Sequence, residues 1–337
     1  MTHLDDDRMA LDLLIRGFMI SRTIGIVADL SIADRIAPDG KRNVKDLASE
    51  CEVLPSPLLR AVRTLAAFGI FRLEADGAIA HTSRSLLLRT DAPKSMVHGA
   101  RFWTSRGPWR AWGELDVALK GGVPQESASG MGFFAFLRDH PAEARKFDAF
   151  MSNHPDNRHR AVAAAYDFSR CSLIADVGGG NGEALRQILD RFPNARGVVF
   201  DREDVVAAIT TDMLAEGRIT PRGGSFFDVI PTGADRYLMM RVLHDFADED
   251  VLRILRACLA AMGTSARLLI VETLLEPDPA MGRPTEYMTD LAMMTLFGKA
   301  RERTEAEFRE LLAEAGFDLS RVISTTSPVS ILEAAPR

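Results

Sequence analysis

The stretch LIADVGGGNGEAL, residues 173–185, decides the fold, because an apolar run passes through a glycine-rich turn into a helical pattern. The run carries Asp176 near its end, and Gly178, Gly180 and Gly182 follow within six residues. Glycine permits positive φ and lets a ligand approach the backbone without a β-carbon in the way. The stretch predicts a first strand, a ligand-binding turn and a helix, which is how a parallel α/β sheet begins.

Two common phosphate-binding turns do not fit this stretch. A P-loop needs Gly-Lys-Ser/Thr after its glycines, and none follows here. The dinucleotide fingerprint G-x-G-x-x-G fits from Gly178, except that its third glycine falls on Glu183. Asp176 also places a negative charge that suits an ammonium or sulfonium better than a pyrophosphate. A tight glycine turn without any ligand is the alternative.

A second acid narrows the expected ligand. Asp201 ends the strand-like run GVVFD, nineteen residues after Gly182, where an acid accepts ribose hydroxyls in nucleoside-binding α/β folds. With Asp176 it predicts a nucleoside that carries a cationic tail without phosphate. S-adenosylmethionine (SAM) meets that description.

The second half of the chain alternates strand-like and helical segments. Four strand-like runs are followed or separated by helical patterns such as EALRQILDRF and ADEDVLRILRACLAAM; the runs are LIADV, ARGVVFD, DRYLMMRVL and ARLLIVETLL. This alternation predicts a mostly parallel sheet with helices on both faces. Ligands in such sheets bind beyond the carboxyl ends of the strands.

The first 90 residues are helical in pattern, with one hairpin. Apolar residues recur at helical spacing from Met9 to Asp34, broken by Gly17 and Gly25, and two short helical segments follow. The second of them is expected to start with Ser56 as its cap and Pro57 at its first position. The run FRLEADGAIAHT then predicts a hairpin about its D-G turn. Two helices and a hairpin are typical of a winged helix, used either for DNA binding or for dimerisation and site closure.

Composition limits the partners and the compartment. The formal charge of −6 gives no general attraction to nucleic acid or anionic membranes. The winged-helix segment holds few basic residues, which also disfavours DNA binding. The three cysteines are widely spaced, and the first ten residues do not resemble a secretory signal. We expect a cytoplasmic protein without a membrane span.

The residues 222–262, which contain the block VLHDFADED, and the earlier VGGGNGEAL closely resemble SAM-dependent O-methyltransferases of the caffeate and hydroxyindole type. The resemblance runs from about residue 15 to 332. It implies a Rossmann-like class I methyltransferase sheet behind an N-terminal helical, winged-helix-like dimerisation domain. The implied domains are 1–100 for dimerisation and 101–337 for SAM binding and catalysis, with 101–167 as a helical connector and acceptor-site lid.

The resemblance implies a general base and two carboxylates. The histidine of the family motif matches His244, and the two flanking glutamates match Glu272 in VETLLEP and Glu302 in RERTEAEF. The chemistry agrees, since a neutral imidazole can take the proton of a phenol whose pKa is near 10. A carboxylate on the other ring nitrogen fixes the tautomer. No metal is expected. Glu302 also fits a plain helix start capped by Thr304.

The resemblance also assigns the remaining site residues. Around the donor it places Asp176, the three glycines and Asp201, and four further positions, which are Ser225, Phe226, Met240 and Arg241. Ser225 and Met240 depart from the family's usual aspartate and lysine, and Phe226 is expected to cover the adenine. The acceptor pocket is expected to contain aromatic and methionine side chains and one acid, which are Trp103, Met131, Phe147, Met151, Asp290, Met293, Met294 and Phe297. Such walls favour a flat aromatic guest.

The leading interpretation is methyl transfer from SAM to a phenolic hydroxyl of an aromatic small molecule, with S-adenosylhomocysteine as the second product. One alternative is a SAM-binding relative that methylates carbon or nitrogen, or that hydroxylates. Another, of a different class, is a SAM-sensing DNA-binding regulator built on the winged helix. A homodimer formed through the N-terminal domain is expected from the resemblance and from the apolar Met9–Asp34 segment.

Overall fold

In the computed structural model, which describes residues 3–153 and 157–337, the chain folds into two units, each built on its own sheet. Within the described residues, the first unit comprises 3–113 and 128–153 and contains a three-stranded sheet. The second comprises 114–127 and 157–337 and contains a seven-stranded sheet. The division into functional domains at residues 100 and 101 stays a prediction.

The first unit is mainly helical. Its helices and strands are α1 (His3–Ile15), α2 (Gly17–Asp29), β1 (Lys41–Asn43), α3 (Val44–Glu50), α4 (Pro55–Ala67), β2 (Phe71–Leu73), β3 (Ala78–His81), α5 (Ser83–Leu86), α6 (Val97–Trp103), α7 (Arg106–Gly113), α10 (Phe133–Asp139) and α11 (Pro141–Ser152).

The predicted winged-helix arrangement is present in this unit. The short helices α3 and α4 are followed by the antiparallel hairpin β2–β3, and β1 pairs with the other edge of β3. The hairpin turns at Asp76 and Gly77, and Gly77 has φ +82°, which glycine adopts without strain. Val62, Leu65 and Ile79 are fully buried between the helices and the sheet. The core of the unit therefore comes from the apolar pattern of its own helices.

Two local expectations in the first unit are wrong. Helix α4 begins at Pro55 with Leu54 at the N-cap, so Ser56 does not cap it and the earlier proline takes the first turn. Gly25 does not break the helical pattern either, because it lies within α2. A β-carbon at Gly25 would lie 1.8 Å from Oγ1 of Thr104. The glycine therefore serves the close approach of α2 and Thr104.

The second unit alternates strands and helices. Its elements are α8 (Leu115–Ala118), α9 (Pro124–Ser129, whose last two residues belong to the first unit), α12 (Arg158–Ala165), β4 (Leu173–Val177), α13 (Glu183–Arg191), β5 (Arg196–Asp201), α14 (Glu203–Val206), a 3₁₀ segment (Thr211–Gly217), β6 (Ile219–Gly223), β7 (Arg236–Met240), a 3₁₀ turn (Leu243–Asp245), α15 (Asp248–Ala261), β8 (Arg267–Thr273), α16 (Pro284–Phe297), α17 (Glu305–Ala315), β9 (Phe317–Ser324) and β10 (Val329–Pro336).

The strand order places the ligand-binding edge. The order is β6-β5-β4-β7-β8-β10-β9, in which the first five strands are parallel, β10 is antiparallel to β8, and β9 is antiparallel to β10. The chain proceeds outward from β4 through β5 to β6 and then returns to the other side of β4 as β7. Ligands bind beyond the carboxyl ends of the strands at such a reversal. The α/β, Rossmann-like prediction is confirmed.

Helices cover both faces of this sheet. On one face α15 and α17 bury residues such as Ile254, Leu255 and Phe308 against the strands. On the other face α12 and α13 bury residues such as Val162, Leu185 and Ile188. The two apolar faces make the sheet rigid, so the loops at its edge have fixed starting points. In the part of the chain that the structure describes, no helix combines the length and apolar character needed to cross a bilayer.

Candidate active site

The glycine turn joins β4 to α13 at the expected edge of the sheet. Gly178, Gly180 and Gly182 all have positive φ, at +74°, +56° and +84°. A β-carbon on Gly178 would lie 2.6 Å from Cγ2 of Val242, so only glycine fits between the two loops. The turn therefore brings the backbone after β4 directly against the segment that follows β7.

Asp176, the last residue but one of β4, is a buried carboxylate without a partner. The residue is 1% exposed, and neither carboxylate oxygen has a hydrogen-bond partner. Burial, with a smaller contribution from the charge of Asp201, raises the pKa of Asp176 from 3.8 to about 7. An acid kept in so unfavourable a place is typical of a site that a cationic ligand completes. This orphaned carboxylate beside the turn fits the ammonium or sulfonium end of SAM.

Asp201 ends β5 and is bonded to the turn itself. Its Oδ2 accepts a hydrogen bond from the backbone N–H of Gly180 at 2.9 Å, and its Oδ1 accepts one from the N–H of Arg202 at 2.7 Å. The carboxylate therefore fixes the glycine turn. Its predicted contact with ribose stays a prediction.

The residues expected around adenine follow β6 or end β7, so they lie at the carboxyl edge of the sheet. The hydroxyl of Ser225 accepts a hydrogen bond from the N–H of Phe227 at 3.2 Å, so it stabilises its own turn. The ring of Phe226 packs edge-on against Phe246, with the ring centroids 5.6 Å apart. Met240 is half-buried at the end of β7. Their contacts with a cofactor stay predictions.

His244 lies in a 3₁₀ turn directly after β7. The turn is held by Glu272 at the end of β8, whose Oε1 accepts hydrogen bonds from the N–H groups of Val242 and Leu243 at 3.1 and 3.0 Å. Glu272 is fully buried near the end of an apolar strand, where an acid without a partner would be unfavourable, and these hydrogen bonds supply the partners. One of its oxygens thus fixes the backbone that presents His244.

Arg241 contacts both glutamates and the histidine. Its Nη1 donates to Glu272 and to Glu302, each at 2.9 Å, and its Nη2 donates to the other oxygen of Glu302. The same Nη2 lies 2.7 Å from Nδ1 of His244. The side chain, predicted to bind cofactor, thus points into the cluster that surrounds the candidate base. A paired guanidinium and two carboxylates satisfy one another there.

The candidate base has a carboxylate on one ring nitrogen. Nδ1 of His244 lies 3.0 Å from Oε1 of Glu302, and Nε2 lies 3.4 Å from Oδ1 of Asp245. Burial and the charge of Arg241 lower the pKa of His244, but Asp245, Glu272 and Glu302 outweigh them, so the pKa is raised above 6.5. Burial raises the pKa of Glu302, yet Arg241 and His244 outweigh it and hold that carboxyl ionised at neutral pH. The arrangement is an imidazole oriented by a carboxylate.

His244, Glu272 and Glu302 are also close enough to resemble a metal-ligand set, with donor atoms within 4.8 Å of one another. The guanidinium of Arg241 is hydrogen-bonded to both carboxylates, so a positive charge already occupies the position that balances them. The donor set is therefore that of an ion-pair cluster around a histidine.

The segment 301–304 fixes Glu302, and sequence reasoning identified only part of it. Arg303 is fully buried and donates to the carbonyls of Leu243 and Phe246 at 2.9 and 2.8 Å, on either side of the His244 turn. Arg303 also pairs with Asp248 at the start of α15. Thr304 caps α17, as predicted, with a capping box. The cap occurs together with the contacts of Glu302 to Arg241 and His244, and the catalytic role of Glu302 stays a prediction.

We expect Arg303→Gln to destabilise the protein by about 2–4 kcal/mol, because two buried carbonyls and Asp248 lose a charged donor. The matched control is Arg301→Gln, whose ion pairs with Asp248 and Glu307 are partly exposed and are expected to contribute at most about 1 kcal/mol. Urea unfolding of both variants measures the difference. Equal losses would mean that the carbonyl contacts of Arg303 contribute nothing.

The predicted acceptor residues are divided between the two units. Trp103, Met131, Phe147 and Met151 belong to the first, where Trp103 and Phe147 join an aromatic cluster with Phe102, Phe133 and Phe150. Four more lie on α16 in the second, namely Asp290, Met293, Met294 and Phe297. Asp290 accepts a hydrogen bond from the N–H of Glu302 at 2.9 Å. Their contacts with an acceptor stay predictions.

Comparison with known proteins supports one family. The model of the O-methyltransferase domain matches residues 112–318. The phenazine O-methyltransferase PhzM of Lysobacter antibioticus is 35% identical over 335 residues, covering 96% of this chain and 94% of that protein. The 8-amino-8-demethylriboflavin N,N-dimethyltransferase of Streptomyces davaonensis is 34% identical over 302 residues, covering 87% and 85%. The crystal structure of NcsB1 from neocarzinostatin biosynthesis, in complex with SAM and 2-hydroxy-5-methyl naphthoic acid, superposes with a TM-score of 0.82, 30% identity and coverage of 94% and 96%.

Proposed function

Because this chain belongs to the SAM-dependent O-methyltransferases, we propose that it methylates a phenolic hydroxyl of an aromatic small molecule, with His244 as general base. One observation carries the proposal. The unpartnered Asp176 lies near the carboxyl end of β4, and the oriented His244 follows β7, which is the parallel neighbour of β4. The carboxyl ends of neighbouring parallel strands share one edge of the sheet, so a cation site and a base open at the same edge.

The chain's residues on the donor side bind and orient SAM. Bound SAM supplies a methyl group on a positively charged sulfur, which an oxygen nucleophile takes up in one displacement when the two are held in line. Asp176 favours a cationic guest over a neutral one, and Asp201 keeps the glycine turn in shape. The second product, S-adenosylhomocysteine, lacks the sulfonium charge but keeps the ammonium, so Asp176 still has a cation to pair with when the product is bound.

On the acceptor side, His244 moves one proton. A phenol with a pKa near 10 is a weak nucleophile while protonated. Nε2 of His244 accepts that proton when Nδ1 carries its hydrogen and donates it to Glu302. Glu302 then balances the charge that the imidazole acquires. Glu272 acts through the backbone of Val242 and Leu243, so it is a positioning residue.

The residue types predicted for the acceptor pocket support an aromatic acceptor. Aromatic and methionine side chains offer flat, polarisable surfaces that suit a fused or single aromatic ring. Met151 and Met293 are proposed to contact that ring, and Asp290 to orient a polar substituent. The similar proteins named above act on phenazine, flavin and naphthoate compounds by their descriptions, which supports this class.

Nitrogen methylation is the second candidate, and the riboflavin N,N-dimethyltransferase among the similar proteins favours it. A neutral amine already has a free lone pair, so its attack does not require prior removal of a proton. Dependence of the rate on His244 therefore separates the two reactions. Carbon methylation and hydroxylation predict different products. The first gives a compound with a new methyl group on carbon, and the second gives a compound with a new hydroxyl group and no added methyl group. The DNA-binding alternative predicts binding that weakens steeply with salt.

The experiment is a screen of phenolic, amino-aromatic and hydroxynaphthoate compounds with methyl-labelled SAM, followed by mass spectrometry. We expect the labelled methyl group on an aromatic oxygen in at least one phenolic compound. The matched comparison is each compound with its hydroxyl replaced by hydrogen, which should give no product. Product on nitrogen or carbon alone would overturn the proposal of oxygen methylation.

We also propose a homodimer formed through the first unit. Large apolar side chains are exposed along α1 and α2, and they are Met9, Leu11, Leu14, Ile15, Phe18 and Met19. An apolar face of this kind is typical of an interaction surface. Light scattering should give twice the mass of one chain, and Leu14→Glu should reduce it to one. Action in the cytoplasm stays a prediction.

A further inference from the structure

Arg241 occupies an unusual place for an arginine. Its φ is +57°, in the left-handed region that residues with a side chain seldom adopt, and its backbone N–H is bonded to the carbonyl of Val271 at 3.0 Å. The side chain is 8% exposed. A strained backbone and a buried guanidinium are both unfavourable unless the surrounding structure requires them. Contacts of the Arg241 side chain in the cluster around His244 must therefore compensate these two costs.

The charged groups around His244 indicate what Arg241 does in the cluster. Three carboxylates face the imidazole, namely Glu302 on Nδ1, Asp245 near Nε2, and Glu272 at the end of β8. Asp290 on α16 lies one step further away, bonded to the N–H of Glu302. Arg241 is the cation that faces the ring among the groups affecting the His244 pKa. Without it, the imidazole itself would become the cation that balances the carboxylates.

Both Arg241 and Glu302 contact Nδ1 of His244. Nη2 of Arg241 lies 2.7 Å from Nδ1 and Oε1 of Glu302 lies 3.0 Å from it, so donor and acceptor compete for one ring atom. The neutral tautomer that takes a proton at Nε2 carries a hydrogen on Nδ1, as the imidazolium does, so this contact is the same before and after proton uptake. The guanidinium therefore disfavours the protonated ring through its charge, as a cation beside a cation.

We propose that Arg241 is a positioning residue for the general base, which favours the neutral form of the His244 imidazole against the three carboxylates that favour the protonated form. Its two-pronged contact with Glu302 also aims that carboxylate at Nδ1. The proposal rests on the proposed function only in that His244 receives the proton. The direction agrees with the effect of Arg241 on the histidine, which lowers the His244 pKa and is second only to burial.

The test is a titration of the His244 ring by nuclear magnetic resonance in the full chain, with labelled histidine and the His244→Ala spectrum to assign the signal. We expect Arg241→Gln to raise the midpoint by about one pH unit or more, a tenfold or greater change in proton affinity. Arg241→Lys keeps the charge and should shift it by less than half as much. The control Arg301→Gln, which does not touch the ring, should leave the midpoint in place.

The double variant Arg241→Gln/Glu272→Gln protects the test against loss of folding, since it removes a buried anion together with the cation. We expect its midpoint to return toward the wild-type value. An unchanged or lower midpoint in Arg241→Gln, or no return in the double variant, would overturn the proposal. The titration needs no turnover, so it stands apart from the acceptor screen. With a phenolic acceptor, the acidic limb of kcat/KM should move with the midpoint.

Discussion

His244→Ala should lower kcat/KM for a phenolic acceptor by roughly 10²–10⁴, the usual contribution of a general base. The ring is 8% exposed and lies at the carboxyl edge of β7, with Glu302 on Nδ1. Without it no described group at that position accepts the hydroxyl proton except Asp245, whose carboxylate is 3.4 Å from Nε2. Steady-state kinetics at saturating SAM, with mass detection of product, measures the loss.

The affinity for SAM is the control for this variant. Asp176 and the glycine turn lie on β4 and its loop, so the dissociation constant of SAM by calorimetry should change less than threefold, on the order of 0.6 kcal/mol. Loss of SAM binding together with activity would mean that the variant disrupts the turn. Unchanged turnover with a phenol would remove His244 as the base. Unchanged turnover with an amine only would favour nitrogen methylation.

The direction of the His244 pKa shift predicts how kcat/KM depends on pH. Because the pKa of His244 is raised, the ring is protonated, and unable to accept a proton, up to a higher pH than a free histidine. We expect the acidic limb of kcat/KM in the wild type to lie above about pH 6.5. A pH profile with an acceptor whose hydroxyl does not titrate in that range measures it. A limb well below pH 6.5 would contradict the direction of the shift.

Much of the sheet was predictable, because its strands are apolar runs that end at ligand-binding turns. β4, β7 and β8 each bury most of their residues and β5 buries half, so their apolar residues mark them as strands. β6, the sequence ITPRG, lies at the edge and buries one residue of five. It contains a proline, which edge strands tolerate, and no sequence pattern distinguishes it from a loop.

The site residues that could be predicted from the sequence are those whose side chains are acids or bases. Asp176, His244 and Glu302 are acids or bases next to recognisable motifs. Arg303 is not, because its partners Leu243 and Phe246 contribute backbone carbonyls 60 and 57 residues away. The resemblance assigns Arg241 to the cofactor, and that contact stays a prediction. The positive φ of Arg241, which no sequence pattern indicates, accompanies a side chain directed into the cluster.

Asp176→Asn should weaken SAM binding while it stabilises the ligand-free protein. The carboxylate is buried without a partner, so a cationic ligand gains a desolvated ion pair that the amide does not supply. Losing one member of such a pair costs about 2–5 kcal/mol, so the dissociation constant should rise at least about thirtyfold. Calorimetry at pH 8, where the wild-type acid is ionised, measures it.

The stability of the ligand-free protein should change in the opposite direction. The folded pKa of Asp176 is about 7, whereas an unfolded aspartate titrates near 3.9, so the folded state binds the extra proton. Wild-type stability therefore falls as pH rises from about 4 to about 7, and the penalty is complete above that. We expect Asp176→Asn to be more stable by about 1–3 kcal/mol at pH 8, and the difference to shrink toward pH 4.

Asp201→Asn is the matched control, because Asp201 lies at the end of the neighbouring strand and its oxygens already accept two backbone hydrogen bonds. Replacing it should weaken SAM binding and also destabilise the free protein by about 1 kcal/mol. Opposite effects of the two substitutions on the free energy of unfolding would show that Asp176 serves the ligand, whereas Asp201 stabilises the glycine turn. If Asp176→Asn instead destabilised the free protein at pH 8, its carboxylate would be contributing to the fold. The cationic-ligand role assigned to it would then lose its physical basis.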